Sequence, residues 1–255
     1  MSKKNLLIVG GSGLIGTAIC EKFIKEKYNV YSLDIKDKIK KKNSNYKYFY
    51  FDVKSTEDLE LNFLKIIKKI KKIDCFINCS YPINKEWNKS NFDKIKFNNF
   101  IENTQYNLIN QSWLYLLAAK KMRENKQNSS IITIGSIYGF LAQNENIYKG
   151  TSIKKNIIYS IAKGGIINLT RQMAAHYGKY NITVNCISPG ALKGHIAGSK
   201  YSQPKKFINE YTKTCPIKRL GHPTEVADLA YFLCSESSRY INGQNIVIDG
   251  GWSVI

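Results

Sequence analysis

The chain has 255 residues, 43% of them hydrophobic. That is enough to bury one large α/β core, and no apolar run is long enough to span a membrane. Its 39 Lys and Arg against 19 Asp and Glu leave a net charge of +20, a balance that invites an acidic partner or a nucleic acid. Arginine is confined to Arg123, Arg171, Arg219 and Arg239, while Lys accompanies abundant Asn and Ile. That pattern fits an AT-rich codon bias displayed on solvated faces, so nucleic-acid binding is not expected and an anionic small substrate stays compatible. Met1-Ser2-Lys3-Lys4 leads straight into a strand without the apolar stretch of a signal peptide, which makes the cytoplasm the expected location. Six cysteines without a Cys-x-x-Cys pair read as reduced core thiols, and no metal is expected.

In chain order, Asn5–Val9 reads as a buried strand, followed by Gly10-Gly11-Ser12-Gly13-Leu14-Ile15-Gly16 and an amphipathic helix over 17–26. Glycines three apart between strand and helix permit a tight turn, close backbone approach to a pyrophosphate, and close helix–strand packing. The helix N-terminus adds free N–H groups and a positive dipole end. A second strand, Asn29–Asp34, ends on an acid eighteen positions after Gly16. Such an acid bonds both ribose hydroxyls and repels a 2′-phosphate, so NAD(H) is favoured over NADP(H), although Lys36, Lys38, Lys40, Lys41 and Lys42 soften that repulsion. Strands follow over 47–51 and 73–79, helices over 56–71, 92–100 and 104–124, and a short β-branched strand over 130–135 that carries Ser136 at its end. Tyr159 and Lys163, four apart in a helix over 157–178, share one helix face. Tyr-x-x-x-Lys recurs at Tyr50, Tyr81 and Tyr201, so only its context selects this pair. The ammonium is expected to lower the phenol toward working pH, as a general acid/base requires. A strand over 181–187, a helix over 224–235 and a last strand over 243–251 complete the chain.

These motifs resemble the short-chain dehydrogenase/reductase family, from Leu6 to Trp252. The fold the resemblance implies is a single-domain α/β, Rossmann-like, doubly wound parallel sheet with helices on both faces. By the same resemblance, Gly10, Ser12, Gly13, Leu14, Ile15, Gly16, Asp34, Asp52, Val53, Asn78, Pro189 and Gly190 line the cofactor, and Tyr159 and Lys163 reach its nicotinamide ribose. Asn107, Ser136, Tyr159 and Lys163 match the catalytic positions, with Asn107 maintaining a water-linked proton path to the lysine. The family's usual Asn-Asn-Ala-Gly is here Asn78-Cys79-Ser80-Tyr81. Tyr81 therefore marks a different backbone path, an aromatic wall of the substrate site, or plain packing. The Gly10, Gly13, Gly16 spacing is more typical of the family's extended branch. After Ser188-Pro189-Gly190, the usual Thr is replaced by Ala191-Leu192-Lys193.

Ser136 and Tyr159 stand twenty-three positions apart, more than the family usually has, so residues 140–156 read as an insertion over the substrate site. Its Gln143, Asn144, Glu145, Asn146, Tyr148, Lys149, Lys154 and Lys155 suit a hydroxylated ligand, phosphorylated or not, better than a fatty chain; the competing account is a solvated loop. Residues 191–216 read as a mobile substrate lid. The implied activity is NAD(P)(H)-dependent interconversion of a hydroxyl and a carbonyl. Several pieces, among them Ser136-Ile137-Tyr138-Gly139 and Gly250-Gly251-Trp252, are similar to a bacterial subgroup associated with flagellin and surface-glycan sugars such as legionaminic acid. The alternatives are a 3-oxoacyl-[acyl-carrier-protein] reductase-like enzyme and a non-catalytic dinucleotide-binding or nucleic-acid-binding protein. The apolar faces of the helices over 104–124 and 157–178 resemble the family's dimerisation surfaces, which implies a homodimer or homotetramer.

Overall fold

Along β1 (Asn5–Val9), Leu6 and Ile8 point to one face and Leu7 and Val9 to the other, and all four are fully buried. A strand apolar on both faces belongs inside a parallel sheet covered on both sides. In the computed structural model, which describes residues 3–39, 44–151, 153–195 and 202–255, β1 holds that place. The other strands are β2 (Asn29–Asp34), β3 (Tyr46–Tyr50), β4 (Cys75–Asn78), β5 (Ser129–Ile134), β6 (Ile182–Pro189) and β7 (Asn245–Ile248). They form one sheet in the order β3-β2-β1-β4-β5-β6-β7, every pairing parallel. The helices are α1 (Leu14–Lys25), α2 (Leu59–Ile67), α3 (Phe97–Thr104), α4 (Asn110–Arg123), α5 (Glu145–Tyr148), α6 (Ile157–Tyr177), α7 (Lys205–Thr214) and α8 (Pro223–Leu233).

The two faces carry separate cores. Phe63, Ile66, Leu114, Tyr115, Ile166 and Met173 pack with Leu7, Val9, Phe76 and Val184. On the other side, Ile19, Phe23, Val226, Ala230 and Leu233 pack with Leu6, Ile8, Ile77 and Ile132. This is the single-domain, Rossmann-like, doubly wound architecture implied by the sequence, and its strand order reverses between β1 and β4. The crevice at the carboxyl ends of those strands is where such sheets bind ligands.

The helix read over 104–124 is not continuous. It opens as a π-helical turn, Gln105–Ile109, closed by the Asn110 N–H to the Gln105 carbonyl, before α4 begins. Residues 137–139 form a single 3₁₀ turn, the insertion carries α5, and the lid carries α7. Lys40, Lys41 and Lys42 of the basic loop, and Gly198 and Ser199 of the lid, lie outside the described residues. Among the described residues no helix is long and apolar enough to cross a membrane.

The glycine loop is packed to the limit. A Cβ on Gly16 would sit 2.0 Å from the Gly10 carbonyl oxygen and 2.8 Å from the Gly11 Cα. Gly16→Ala should therefore displace the loop and cost about 2 kcal/mol of stability by overpacking alone. Chemical denaturation reads that cost; a variant unfolding at the wild-type midpoint would mean that the loop yields without strain.

Candidate active site

The site is assembled at the carboxyl ends of β1, β2, β4, β5 and β6. Gly13 caps α1 without any side-chain hydrogen bond, and among the described residues no side chain bonds the first-turn N–H groups of Leu14, Ile15 and Gly16. A Cβ on Gly13 would meet only the Gly10 carbonyl, at 3.3 Å, which leaves its outer side open. Unpaired amides at the positive end of a helix dipole, with backbone open to approach, fit a dinucleotide pyrophosphate. Asp34, half-buried at the end of β2, holds this loop directly: its Oδ2 accepts from Ser12 N at 3.0 Å. Ser12 Oγ in turn donates to the Lys36 carbonyl at 2.6 Å.

Beyond β3, Asp52 Oδ1 accepts from Lys54 N at 2.9 Å. The Val53 carbonyl accepts from Asn110 Nδ2 at 2.8 Å, so α4 fastens this turn. Asn78 ends β4 almost fully buried; its Oδ1 accepts from both Ser80 N (3.0 Å) and Ser80 Oγ (2.6 Å), and its Nδ2 has no partner. The backbone that follows is gripped from one helix face: Tyr115 Oη donates to the Asn78 carbonyl (3.2 Å), Gln111 Nε2 to that of Ser80 (3.1 Å) and Asn107 Nδ2 to that of Pro82 (2.9 Å). Asn107 lies buried in the π turn, a distortion often found at functional sites, and its Oδ1 is left unpartnered. At the end of β6, the Ala191 N–H donates to Tyr211 Oη at 3.0 Å and Lys193 N to the Gly221 carbonyl at 2.7 Å. Two backbone amides of the segment replacing the usual threonine are thus already engaged. A groove of about 700 Å³ runs along the glycine loop, bordered by Ser12, Leu14, His195 and Pro223; Tyr159 is not among its lining residues.

Ser136 follows β5 as the cap of the 3₁₀ turn, its Oγ accepting from Tyr138 N at 3.2 Å. That turn lies directly on α6, because Gly139 has no side chain: a Cβ there would come within 2.8 Å of the Lys163 carbonyl carbon. Lys163 is buried and donates from Nζ to the Ile134 carbonyl at 2.7 Å, and its ammonium lies 5.8 Å from the Tyr159 ring centre. Burial pushes this ammonium down from 10.5 to about 8, against a smaller opposing effect of the Cys186 and Cys79 thiols. The Tyr159 phenol moves the other way from the sequence expectation. Burial raises it above its usual value, the Ser136 hydroxyl acting in the lowering direction. Desolvation of the phenolate wins here, and the ammonium that was to stabilise it is directed to the Ile134 carbonyl instead.

Tyr81 proves to face the site. Its ring meets Tyr159 edge-on at 5.5 Å and Trp87 at 5.3 Å, with the Lys163 ammonium 5.9 Å from its centre. Tyr138, Tyr148, Phe207, Tyr211 and Trp252 form a second aromatic group, with Tyr211 and Trp252 stacked at 5.6 Å. Several polar residues of 140–156 bond within the loop or to the elements beside it. Gln143 bonds the Asn156 backbone, Asn144 caps α5, and Glu145 pairs with Lys155 at 3.5 Å. Trp87, Tyr138 and Asn156 were not singled out from the sequence. Only Asn156 carried a readable signal, as a capping residue just ahead of an apolar helix.

Fold and site together define a dinucleotide-dependent oxidoreductase. The model of a family described as enoyl-(acyl carrier protein) reductase matches residues 12–253. The chain is 25% identical over its whole length to the whole of the post-translational flagellin modification protein A of Campylobacter coli. It is 28% identical to the 3-oxoacyl-[acyl-carrier-protein] reductase FabG of Buchnera aphidicola subsp. Schizaphis graminum, over 98% of each chain. The structure of a short chain dehydrogenase from Leptospira borgpetersenii with bound NAD⁺ superposes with a TM-score of 0.86 at 29% identity, covering 99% of this chain and 94% of that one. The chain belongs to the short-chain dehydrogenase/reductase family, oxidoreductases that act on CH–OH groups with NAD or NADP.

The depressed lysine has a consequence for stability. Below pH 8 Lys163 is protonated in both the folded and the unfolded chain, and burying the charge opposes folding. Between pH 8 and 10.5 the folded state releases the proton first, so the unfolded state binds more protons and stability rises with pH. The unfolding free energy of wild type minus that of Lys163→Met should increase by up to about 3 kcal/mol across this window. A flat difference from pH 7 to 10.5 would mean that the ammonium is not desolvated.

Proposed function

We propose that the protein interconverts a hydroxyl and a carbonyl with NAD(H), on a sugar or sugar phosphate of surface-glycan biosynthesis. The observation that carries the chemistry is the convergence of Ser136 and Tyr159 at the tip of β5, with Lys163 anchored beneath them on the Ile134 carbonyl. Gly10, Ser12, Gly13, Leu14, Ile15 and Gly16 hold the pyrophosphate, Asp34, Asp52, Val53 and Asn78 the adenosine half, and Pro189 and Gly190 flank the nicotinamide. The bound dinucleotide supplies or accepts the hydride. Ser136 Oγ and Tyr159 Oη bond the substrate oxygen, and Tyr159 transfers its proton. Lys163 holds the nicotinamide ribose and, with Asn107, maintains the proton path. A phenol raised above its usual value is protonated at neutral pH, the form that donates to a carbonyl oxygen. The rate of alcohol oxidation should accordingly rise with pH into the alkaline range, whereas carbonyl reduction should be favoured nearer neutrality.

The substrate class rests on the lining. Tyr81, Trp87, Tyr138 and Tyr148 gather near Tyr159 and the turn after Ser136, and aromatic rings suit the apolar side of a sugar. The full-length likeness to a flagellin modification protein points the same way. Asp34 supports NAD(H), since its carboxylate opposes a 2′-phosphate. The described helices of the insertion and the lid, α5 and α7, contribute Ile147, Phe207 and Tyr211 to one cluster with Tyr138, Tyr148 and Trp252. Exposed Ile101, Ile109, Trp113 and Ile161 on α3, the π turn, α4 and α6 support a homodimer or homotetramer. The second reading, a 3-oxoacyl-[acyl-carrier-protein] reductase-like enzyme, draws on the FabG likeness and the basic surface.

A panel of sugar phosphates, nucleotide sugars and an acetoacetyl thioester, followed with NAD(H) and NADP(H), separates the two readings. Sugar turnover with NAD(H) supports the first, and thioester turnover with NADPH alone overturns it. Tyr159→Phe should lower turnover about a thousandfold with cofactor affinity nearly intact; retained activity would sink the role given to Tyr159. Asp34→Asn removes the charge but keeps an oxygen for Ser12 N. It should shift the preference toward NADP(H) about tenfold, and an unchanged ratio would remove Asp34 from cofactor selection.

A further inference from the structure

Asn156 precedes α6, and each of its four polar groups is engaged. Its Oδ1 accepts from the N–H of Tyr159 at 3.0 Å, capping the helix at the residue assigned the proton transfer. Its Nδ2 donates to the Trp87 carbonyl at 3.2 Å. Its N–H donates to Gln143 Oε1 at 3.1 Å, and its carbonyl accepts from Gln143 Nε2 at 2.8 Å. Gln143 Nε2 also reaches Ser160 Oγ at 2.9 Å, and the Ile157 N–H donates to the Ser90 carbonyl at 3.0 Å. One nearly buried amide therefore joins the loop bearing Tyr81 and Trp87, remote in sequence, to the insertion and the first turn of α6 that follows it.

The three segments meet around the phenol. Trp87 packs edge-on against Tyr81, and Tyr81 edge-on against Tyr159, so the Asn156 bond to the Trp87 backbone fixes the far end of the same aromatic stack whose near end is the Tyr159 ring. Its bond to the Tyr159 N–H fixes the backbone from which that ring projects. We propose that Asn156, clamped by Gln143, is a positioning residue that sets the Tyr159 phenol against Ser136 and holds the Tyr81–Trp87 wall in register with it. It touches no reacting atom, and it acts by holding Tyr159. This rests on the role given to Tyr159 above. A displacement of the order of 1 Å at a reacting group suffices to lower a rate about a hundredfold, so the clamp need only tighten the geometry modestly to matter.

Two substitutions separate the parts of the clamp. Asn156→Ala removes both side-chain bonds, whereas Asn156→Ser keeps a hydroxyl that can cap the Tyr159 N–H but loses the donor to Trp87. Amide hydrogen exchange followed by NMR reads the clamp without any substrate. In Asn156→Ala, exchange at Tyr159 should accelerate by at least about tenfold with the later turns of α6 unchanged, and Asn156→Ser should restore most of the protection. On whichever panel compound is turned over, Asn156→Ala should lower kcat about ten- to a hundredfold with KM and cofactor Kd within about twofold, and Asn156→Ser should recover part of it. Wild-type exchange at Tyr159 in Asn156→Ala overturns the clamp. Accelerated exchange with an unchanged kcat, or a kcat loss matched by lost cofactor affinity, overturns the positioning role. A panel without any turnover counts against the reaction proposed above, while the exchange data still decide the clamp.

Discussion

The bond from the Lys163 ammonium to the Ile134 carbonyl joins the two elements on which the site depends. It ties the middle of one turn of α6 to the tip of β5, and so places Tyr159, one turn earlier, beside Ser136, two residues beyond the strand. The charge is buried, and its proton affinity falls accordingly. A buried cation is retained where its geometry does something a hydrocarbon cannot. Here it supplies a donor aimed at a strand-end carbonyl and a positive charge near two aromatic faces, Tyr81 and Tyr159. Gly139 contributes the complementary condition, since only a residue without a side chain lets the turn after Ser136 rest on the α6 backbone.

The opposite wall depends on polar residues placed on a helix that otherwise packs in the core. Asn107, Gln111 and Tyr115 recur four apart and donate to three successive points of the segment after β4. The row begins in the π turn at Asn107, whose Nδ2 donates to the Pro82 carbonyl. Buried donors satisfied by backbone carbonyls fix a loop more narrowly than apolar contact does, because misplacement leaves a polar group unpaired. The loop held in this way carries Tyr81, whose ring meets Tyr159 and Trp87 edge-on.

How far such features could be read beforehand varied with their physical origin. The strands were legible because both-face burial demands unbroken apolar runs, and the glycine loop because its spacing lies between a strand and a helix. Ser136, Tyr159 and Lys163 could be selected from several Tyr-Lys pairs by context alone. The insertion was legible only in part: Gln143 bonds the Asn156 backbone and Ser160, Asn144 caps α5, Glu145 pairs with Lys155, and Tyr148 joins the aromatic group. Composition distinguishes polar from apolar, but it does not say whether a polar group will bond a ligand or its neighbour's backbone.

The sequence by itself determined the periodicities, and hence the parallel sheet, its helical layers and the order in which chemically suited residues appear along the chain. Those are local properties, decided by side-chain spacing and backbone preference. Only the tertiary structure decided the proton affinities and the partners: that the Tyr159 phenol is raised, that Lys163 bonds Ile134, that Tyr81 faces Tyr159, and that Asn156 ties the first turn of α6 to the Trp87 loop. Each of these depends on desolvation or on contact between residues remote in the chain, and both exist only once the layers have packed.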